Sequence, residues 1–284
     1  MKINHKSDKN DNRESKDITG VYESLPDRSR NPKGYIGIPT CVKQGFIVID
    51  FLIYGIFIEV NMWLNRLELI VEDLNKLKNQ CVVIIGLGGV GGSALEAIVR
   101  SGVNNIILID NDIIDVTNLN RQILSLRSNI GKYKVDVAYD RIKDINPDCN
   151  VIKLNIFLDE SNILELFKYD IDYVIDACDT VDTKVLLIKE CLNRNIKIIS
   201  SMGTANKFNP LKLEIIDISK TNYDPLAKIL RKKLKNIGIK NTMVVSSNEK
   251  PINKKELGSN SLVPNTSGIL CASYVINDIL KNGV

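Results

Sequence analysis

The sequence of 284 residues is poor in the side chains on which much enzyme chemistry depends. It has one histidine, His5, in a polar N-terminal stretch, so catalytic triads and metal sites built on histidine are excluded. No two of the six cysteines form a C-x-x-C pair, which argues against a structural zinc site and a disulfide framework. This cysteine usage is typical of a reducing compartment, and we expect a cytoplasmic protein.

The sequence also lacks a large excess of either positive or negative charge. The net charge is only +4, so no overall basic field indicates a nucleic-acid partner, and such a contact would need a local patch. Hydrophobic residues make up 44% of the chain and charged residues 25%, the balance of a globular protein with a core. Disorder, collagen-like repeats and coiled coil are therefore excluded for the chain as a whole.

The sequence lacks an uninterrupted membrane-spanning run. Residues 46–64 approach the required length, but Asp50 and Glu59 interrupt them, and a charge near the centre of a span costs about 2.5–3.5 kcal/mol. Membrane contact through this segment is disfavoured but stays open. Residues 1 to about 34 are polar and predict disorder. We therefore expect residues 1–61 to be an N-terminal extension outside the core, with Met62 as an alternative start, and one domain over residues 62–284.

From Val71 onward, short apolar runs alternate with amphipathic stretches. The predicted strands are 81–85, 105–110, 151–155, 173–176 and 197–200, and the predicted helices are 71–78, 90–101, 132–146, 160–167 and 183–193. This alternation predicts an α/β fold with a Rossmann-like, doubly wound, mostly parallel sheet. After residue 201, strands at 213–217 and 242–246, a basic helix at 225–236 and a closing helix at 266–281 predict an antiparallel C-terminal extension. We expect a nucleotide-binding half over about 80–200 and a substrate half over about 201–284.

Residues 86–91 read G-L-G-G-V-G between a predicted strand and a predicted helix. Gly86 permits a tight turn, Gly88 lets the backbone approach a phosphate, and Gly91 allows close helix packing, with Gly89 between them at the helix start. Asp110 ends the second strand, at the distance expected for a carboxylate that binds the ribose hydroxyls. These features predict an adenine nucleotide, and taken alone they favour NAD.

Further charged residues favour ATP over NAD. Arg121, Lys134 and Asp179 follow the glycine loop at successive strand ends and turns. A pyrophosphate does not need these extra charges, whereas a triphosphate does: Arg121 and Lys134 would neutralise phosphates, and Asp179 would hold Mg²⁺ beside the α-phosphate. We predict these three as the catalytic residues, with ATP and Mg²⁺ as cofactors.

The combined motifs resemble the adenylation domain shared by ThiF, MoeB and the ubiquitin-activating enzymes. In that superfamily the matched positions bind MgATP, and the enzyme transfers AMP to a carboxylate. The resemblance thus implies nucleotide contacts at Gly86, Gly88, Gly89, Gly91, Asp110, Asp112, Asn118, Asn120, Arg121, Gln122, Lys134 and Asp179.

Residues from about 65 to the end resemble the tRNA threonylcarbamoyladenosine dehydratase branch of this superfamily. The segments that carry the resemblance are 201–207, 217–221, D-P-L-A at 224–227 with Arg231, 244–251 and 258–264. The resemblance implies activation of the threonyl carboxylate by ATP, attack by the carbamoyl nitrogen with loss of AMP, and a homodimer. Two alternatives stay open: an activating enzyme for a ubiquitin-like or sulfur-carrier protein, and a non-catalytic nucleotide-binding scaffold. A sulfur-transfer partner is not identified.

The C-terminal part of the chain contains a local basic patch. Between residues 228 and 255 there are nine lysines or arginines and one acid, Glu249. Such a patch fits tRNA phosphates, although a solvated helix face has the same composition. With the family resemblance we favour RNA, and the predicted tRNA-binding residues are Lys228, Arg231, Lys232, Lys233 and Lys235. No cysteine is predicted to be catalytic, Cys178 included, because a small buried cysteine is common at a strand end.

Overall fold

The computed structural model describes residues 41–43, 46–51, 56–252 and 256–281, and the chain divides into two units, up to Val60 and from Asn61 onward. In the first unit, three strands form a sheet in the order β1 (Cys41–Lys43), β2 (Phe46–Phe51) and β3 (Ile56–Asn61), with β1 antiparallel to β2. The sequence did not predict these strands. The disorder predicted for residues 1–34 lies outside the described residues.

The segment 46–64 does not form a single spanning helix. Its described part holds β2, β3 and a turn of 3-10 helix at Met62–Leu64. Among the residues that the structure describes, no helix is both long and apolar enough to cross a membrane.

The second unit is built from seven strands and eight helices in its described part. The strands are β4 (Cys81–Ile85), β5 (Asn105–Ile109), β6 (Asn150–Leu154), β7 (Tyr173–Asp176), β8 (Lys197–Ser201), β9 (Leu213–Asp217) and β10 (Met243–Ser247). The helices are α1 (Asn65–Glu68), α2 (Asn75–Lys78), α3 (Gly89–Arg100), α4 (Lys134–Ile145), α5 (Ile163–Leu166), α6 (Val181–Asn193), α7 (Pro225–Asn236) and α8 (Leu262–Lys281).

The seven strands form one sheet in the order β6-β5-β4-β7-β8-β10-β9. All neighbours are parallel except β10 and β9, which pair antiparallel at the edge. This arrangement confirms the predicted α/β, doubly wound, mostly parallel sheet with an antiparallel extension. The chain turns outward in opposite directions from β4 and β7, so a crevice opens beyond the carboxyl ends of these two strands, where open α/β sheets bind ligands.

Apolar residues cover both faces of the sheet. On one face, Val82 and Ile84 of β4 pack with α3, α4 and α8, and on the other, Val83 and Ile85 pack with α5, α6 and α7. Because a strand buried on both faces needs apolar residues at every position, the continuous run at 81–85 predicted this strand well.

Two helix starts differ by four residues from their predicted positions. α2 begins at Asn75 rather than at residue 71. α8 begins at Leu262, four residues before the predicted start, because Asn260 Oδ1 accepts from the backbone N–H groups of Leu262 and Val263 at 2.8 and 3.2 Å. Pro264 lies in the first turn, where a missing N–H costs nothing. Further along α8, Gly268 lies against α3, and a Cβ at this position would be 2.1 Å from the carbonyl oxygen of Val90.

Candidate active site

The glycine loop connects β4 to α3 at the edge of the crevice. Gly86 has a φ of +83°, and a Cβ there would lie 2.8 Å from the carbonyl oxygen of Ala177. A Cβ on Gly91 would lie 1.7 Å from the Gly86 carbonyl oxygen, whereas one on Gly88 would meet only the Gln122 side chain, at 3.8 Å. The fold therefore requires Gly86 and Gly91, while Gly88 leaves the loop surface open to a ligand.

The N-terminus of α3 suits an anion. Gly88 is the N-cap, and no side-chain hydrogen bond caps this helix among the residues that the structure describes. The first N–H groups of α3 and the positive end of its dipole can therefore bind a phosphate. Gly89, the first residue of the helix, is packed in, since a Cβ there would lie 3.1 Å from Pro264 and 3.2 Å from the carbonyl oxygen of Arg121.

Asp110 follows β5 directly, and its carboxylate is held by the loop. Its Oδ2 accepts from the Leu87 N–H at 2.6 Å and its Oδ1 from the Asp112 N–H at 2.8 Å. The side chain is only 7% exposed. Burial raises the pKa of Asp110 above its ordinary value, although the Lys134 ammonium and the two hydrogen bonds oppose this shift.

Lys134 is the first residue of α4, and its side chain extends toward Asp110. Its Nζ lies 2.6 Å from Asp112 Oδ2 and 4.0 Å from Asp110 Oδ2, and its side chain is 6% exposed. The ammonium is thus fixed beside the glycine loop by two carboxylates. Asp112 is itself largely exposed.

The predicted nucleotide contacts at residues 118–122, which read N-L-N-R-Q, form a turn beside the loop. Asn118 Oδ1 accepts from the Asp115 N–H at 3.1 Å in a capping box, and Gln122 is buried beneath Gly88. Arg121 Nη1 donates to the Thr117 carbonyl and to Asn120 Oδ1, each at 2.9 Å. These internal contacts orient the side chains of the turn and leave some of their polar groups for a ligand.

A buried ion pair at the end of β7 was missed by the sequence analysis. Lys184 Nζ on α6 lies 3.0 Å from both oxygens of Asp176 and donates to the Ser201 carbonyl at 2.9 Å, with both charged side chains 0% exposed. Burial alone would lower the pKa of Lys184, but the Asp176 carboxylate outweighs it and the pKa is raised. The pair fixes the strand end from which Asp179, an exposed residue, extends toward solvent.

Cys178 lies between these two aspartates in sequence. Its Sγ is 3.0 Å from Asp176 Oδ1. Burial and the negative charge of Asp176 raise the pKa of this thiol far above its ordinary value, so Cys178 is a poor nucleophile here.

A second buried pair, also missed, lies at the carboxyl ends of β8 and β10. Lys207 Nζ contacts Asp224 Oδ2 at 2.9 Å and donates to the carbonyls of Gly203 at 2.8 Å and Ser247 at 3.4 Å. Asp224 Oδ1 in turn accepts from the Ala227 N–H at 3.0 Å and caps α7. The start of the basic helix is therefore anchored at the same sheet edge as the glycine loop.

The structure separates the predicted tRNA-binding residues into two groups. Arg231 donates to the carbonyls of Ile218 and Thr221 and to Thr221 Oγ1 at 3.0, 3.1 and 2.6 Å, and Lys233 pairs with Asp182. Both thus have protein partners. The remaining three, Lys228, Lys232 and Lys235, are exposed.

Metal binding depends on few protein ligands. Among the described residues, no group of three or more His, Cys, Asp or Glu is arranged to hold a metal ion. Asp179 offers an exposed carboxylate at the crevice, and a magnesium ion that accompanies a nucleotide commonly needs only one or two carboxylates besides the phosphates. The chain therefore fits Mg²⁺ only together with a nucleotide.

Comparisons of this chain with a family model, with related sequences and with solved structures all indicate similarity to the same group of proteins. A sequence model of the ThiF family matches residues 64–246. A tRNA threonylcarbamoyladenosine dehydratase of Bacillus subtilis is 45% identical over 238 residues, covering 77% of this chain and 94% of that protein. The structure of the Escherichia coli enzyme of this name, TcdA, with AMP matches with a TM-score of 0.71 at 33% identity, covering 73% of this chain and 89% of that one. Its complex with ATP matches with a TM-score of 0.70 at 33% identity, covering 73% and 88%.

Proposed function

The chain belongs to the ThiF family, and we propose that it catalyses the ATP-dependent dehydration of threonylcarbamoyladenosine in tRNA. The observation that carries this proposal is the match to a dehydratase over 94% of that protein's length. The site supports it, because the glycine loop, Asp110, Arg121, Lys134 and Asp179 surround the crevice where a nucleotide would bind.

The proposed reaction has two steps. The threonyl carboxylate attacks the α-phosphorus of ATP and pyrophosphate leaves, which gives an acyl adenylate. The carbamoyl nitrogen then attacks the acyl carbon, loses its proton, and AMP leaves with one carboxylate oxygen. The substrate has lost one water and ATP has become AMP and pyrophosphate. Because the attacking nitrogen is part of the substrate, the reaction needs no enzyme nucleophile, in agreement with the raised thiol pKa of Cys178.

The protein's share of the work is binding, orientation and charge stabilisation. The N-terminus of α3 binds phosphate oxygens, while Arg121 and Lys134 stabilise the negative charge that develops on the leaving pyrophosphate. Asp110 holds the loop through Leu87 and faces the ribose. Asp179 would hold Mg²⁺, which neutralises phosphate charge when bound.

The RNA would bind across α7. Lys228, Lys232 and Lys235 supply phosphate contacts, and binding is expected to weaken steeply with salt. Arg231 and Lys233 have protein partners in this structure, which support this surface, and their own contacts with tRNA stay predictions. We further propose a homodimer and a cytoplasmic location, both of which stay predictions.

The proposal is tested by AMP release from labelled ATP, with tRNA that carries threonylcarbamoyladenosine (marked tRNA) and with the same tRNA lacking it. We expect AMP only with marked tRNA, together with an 18 Da loss from its nucleoside, the mass of the water removed. AMP formed with a small protein ending in Gly-Gly, but with neither tRNA, would instead indicate an activating enzyme. ATP binding without AMP from any carboxylate would indicate a scaffold.

A further inference from the structure

A series of hydrogen bonds connects the N-terminus of α7 to the guanidinium of Arg121. It passes from Asp224 to the Lys207 side chain and from the Lys207 carbonyl to Asn260. From the neighbouring Ser259 carbonyl it continues to Asn120 and Arg121. The proposed tRNA surface and the proposed phosphate-binding arginine thus belong to one bonded network.

At the nucleotide end, the amide of Asn120 is occupied on both sides. Its Oδ1 accepts from Arg121 Nη1 at 2.9 Å, and its Nδ2 donates to the Ser259 carbonyl at 3.0 Å. An amide held on both sides has a fixed orientation, and it fixes in turn the guanidinium that it binds. Asn120, predicted as a nucleotide contact, is arranged here as a support for Arg121.

Ser259 lies in the loop before α8, and Asn260 fixes this loop. Asn260 Nδ2 donates to the Lys207 carbonyl at 2.7 Å, while its Oδ1 caps α8. The same loop is also held at Gly258 by Asn206. The Asn206 N–H donates to the Gly258 carbonyl at 2.9 Å, and Asn206 Oδ1 accepts from the Gly258 N–H at 2.6 Å. The position of the Ser259 carbonyl therefore depends on residues 206 and 207.

At the other end, Lys207 is the buried ammonium that joins three segments. It connects the loop after β8, the end of β10 and, through Asp224, the first turn of α7. A charge with an exposed fraction near zero cannot move without losing these contacts, so its backbone is held firmly. A rigid anchor at one end lets the network control the position of Arg121 at the other.

We propose that Asn120 and Asn260 are positioning residues, through which the tRNA-facing half of the protein sets the orientation of Arg121 on the nucleotide. The inference rests on the proposed function. Neither asparagine needs to touch the reacting atoms, because Asn120 acts by accepting from Arg121 and Asn260 by donating to the Lys207 carbonyl. Loss of the Asn260 donor would free the loop, then Asn120, and then the guanidinium.

The variant Asn260→Asp tests this inference in the full chain. Aspartate keeps an oxygen that caps α8, where a negative charge is favourable, but it has no N–H for the Lys207 carbonyl. We expect the Kd for a non-hydrolysable ATP analogue, measured by calorimetry, to rise about tenfold, the equivalent of one hydrogen bond to a charged group. The KM for ATP should rise alike, while the KM for marked tRNA should stay unchanged.

The matched control is Ser261→Asp. Ser261 is exposed in the same loop, so this variant adds the same charge without removing the Asn260 donor. A loss of ATP-analogue affinity as large as that of Asn260→Asp would overturn the inference, because charge alone would explain both. Unchanged affinity in Asn260→Asp would also overturn it. No binding by the unchanged chain would overturn the proposed function and the inference together.

Discussion

Lys184 shows what a single buried charge contributes to this fold. Its ammonium is completely enclosed and its only charged contact among the described residues is Asp176. Replacement by Met leaves the Asp176 carboxylate buried without a counterion, so we expect Lys184→Met to lower the free energy of unfolding by about 3–5 kcal/mol. Urea unfolding of the full chain measures this value.

The control for this experiment is Lys168→Met. Lys168 pairs with Glu165 on the surface, where both side chains are more than half exposed. Such a pair contributes at most about 1 kcal/mol, so the unfolding midpoint should hardly move. An equally small decrease in the free energy of unfolding in both variants would contradict this prediction. It would show that Asp176 takes up a proton or a water molecule at little cost.

The thiols of the five cysteines from Cys81 onward should be inert near neutral pH. Burial raises the pKa of Cys81 to about 11 and that of Cys149, Cys191 and Cys271 to about 12 each, and Cys178 is raised further. Since only the thiolate reacts, and it becomes abundant only as pH approaches the pKa, we expect no alkylation of these five residues at pH 7.5 until denaturant is added. Peptide mass analysis measures the labelling. Rapid labelling of Cys178 in the native chain would reopen a covalent route.

The two buried lysines also show where sequence reasoning fell short. Glycine spacing and charged residues at strand ends and turns led to the choice of Arg121, Lys134 and Asp179, whose catalytic role stays a prediction. Lys184 carried a usable signal: it shares the helical face of Leu187, Ile188 and Cys191, all buried, so an aspartate had to face it. Lys207 carried none, because its partners come from loops that only the tertiary fold brings together.

Among the elements, α3 depends most on a close neighbour. A Cβ on Gly268 of α8 would lie 2.1 Å from the Val90 carbonyl oxygen and 2.9 Å from the Ala94 nitrogen, both backbone atoms. We expect Gly268→Ala to push the helices apart, to lower the free energy of unfolding by about 1–3 kcal/mol or more, and to weaken ATP binding as the N-terminus of α3 shifts. Urea unfolding and calorimetry with an ATP analogue measure the two effects.

Gly131→Ala is the matched control for the added methyl group. Gly131 has a φ of +85°, and no described atom lies within 4 Å of a Cβ placed there, so only the left-handed backbone is penalised, by about 1–2 kcal/mol. ATP binding should be unaffected in this variant. Full ATP affinity in Gly268→Ala would mean that α3 holds its loop without the support of α8.

Elements with strong periodicity were predicted closely, and short helices only loosely. The strands β4, β5 and β7 and the helices α3, α4 and α6 lie within two residues of their predicted bounds. The four-residue helices α2 and α5 were predicted as the longer helices 71–78 and 160–167. α1 was not predicted, because it spans barely one turn, too little for a 3.6-residue repeat to appear. The apolar run that contains β2 and β3 lacks alternation, so length alone suggested a helix.

At the scale of the whole molecule, chain reversal at the centre of the sheet creates the site. Because β5 and β6 extend to one side of β4, and β7 and β8 to the other, Asp110 and Asp179 approach the glycine loop from opposite sides. The strand-helix alternation was enough to predict this crevice. The alternation does not reveal how the chain after β8 is joined to the crevice. The contacts of Asn120, Asn260 and Lys207 join residues more than fifty positions apart or cross between loops.

The second unit should fold and work without the first. Among the residues whose side chains are described, its two apolar clusters draw on Trp63 and later positions, and the family match begins at residue 64. We therefore expect a chain that starts at Met62 to keep the Tm of the full chain and to release AMP with marked tRNA. Thermal unfolding and the AMP assay measure both.

A chain that starts at Asn79 provides the comparison. It lacks the buried Leu64, Val71, Leu74 and Leu77, which pack in the cluster around α3 and α8. Each buried side chain of this size contributes about 1.5–3 kcal/mol, and four of them approach the whole stability of a typical domain, so this chain should not fold. If the chain from Met62 also failed to fold or lost AMP release, residues 1–61 would be part of the working enzyme, because nothing else distinguishes it from the full chain.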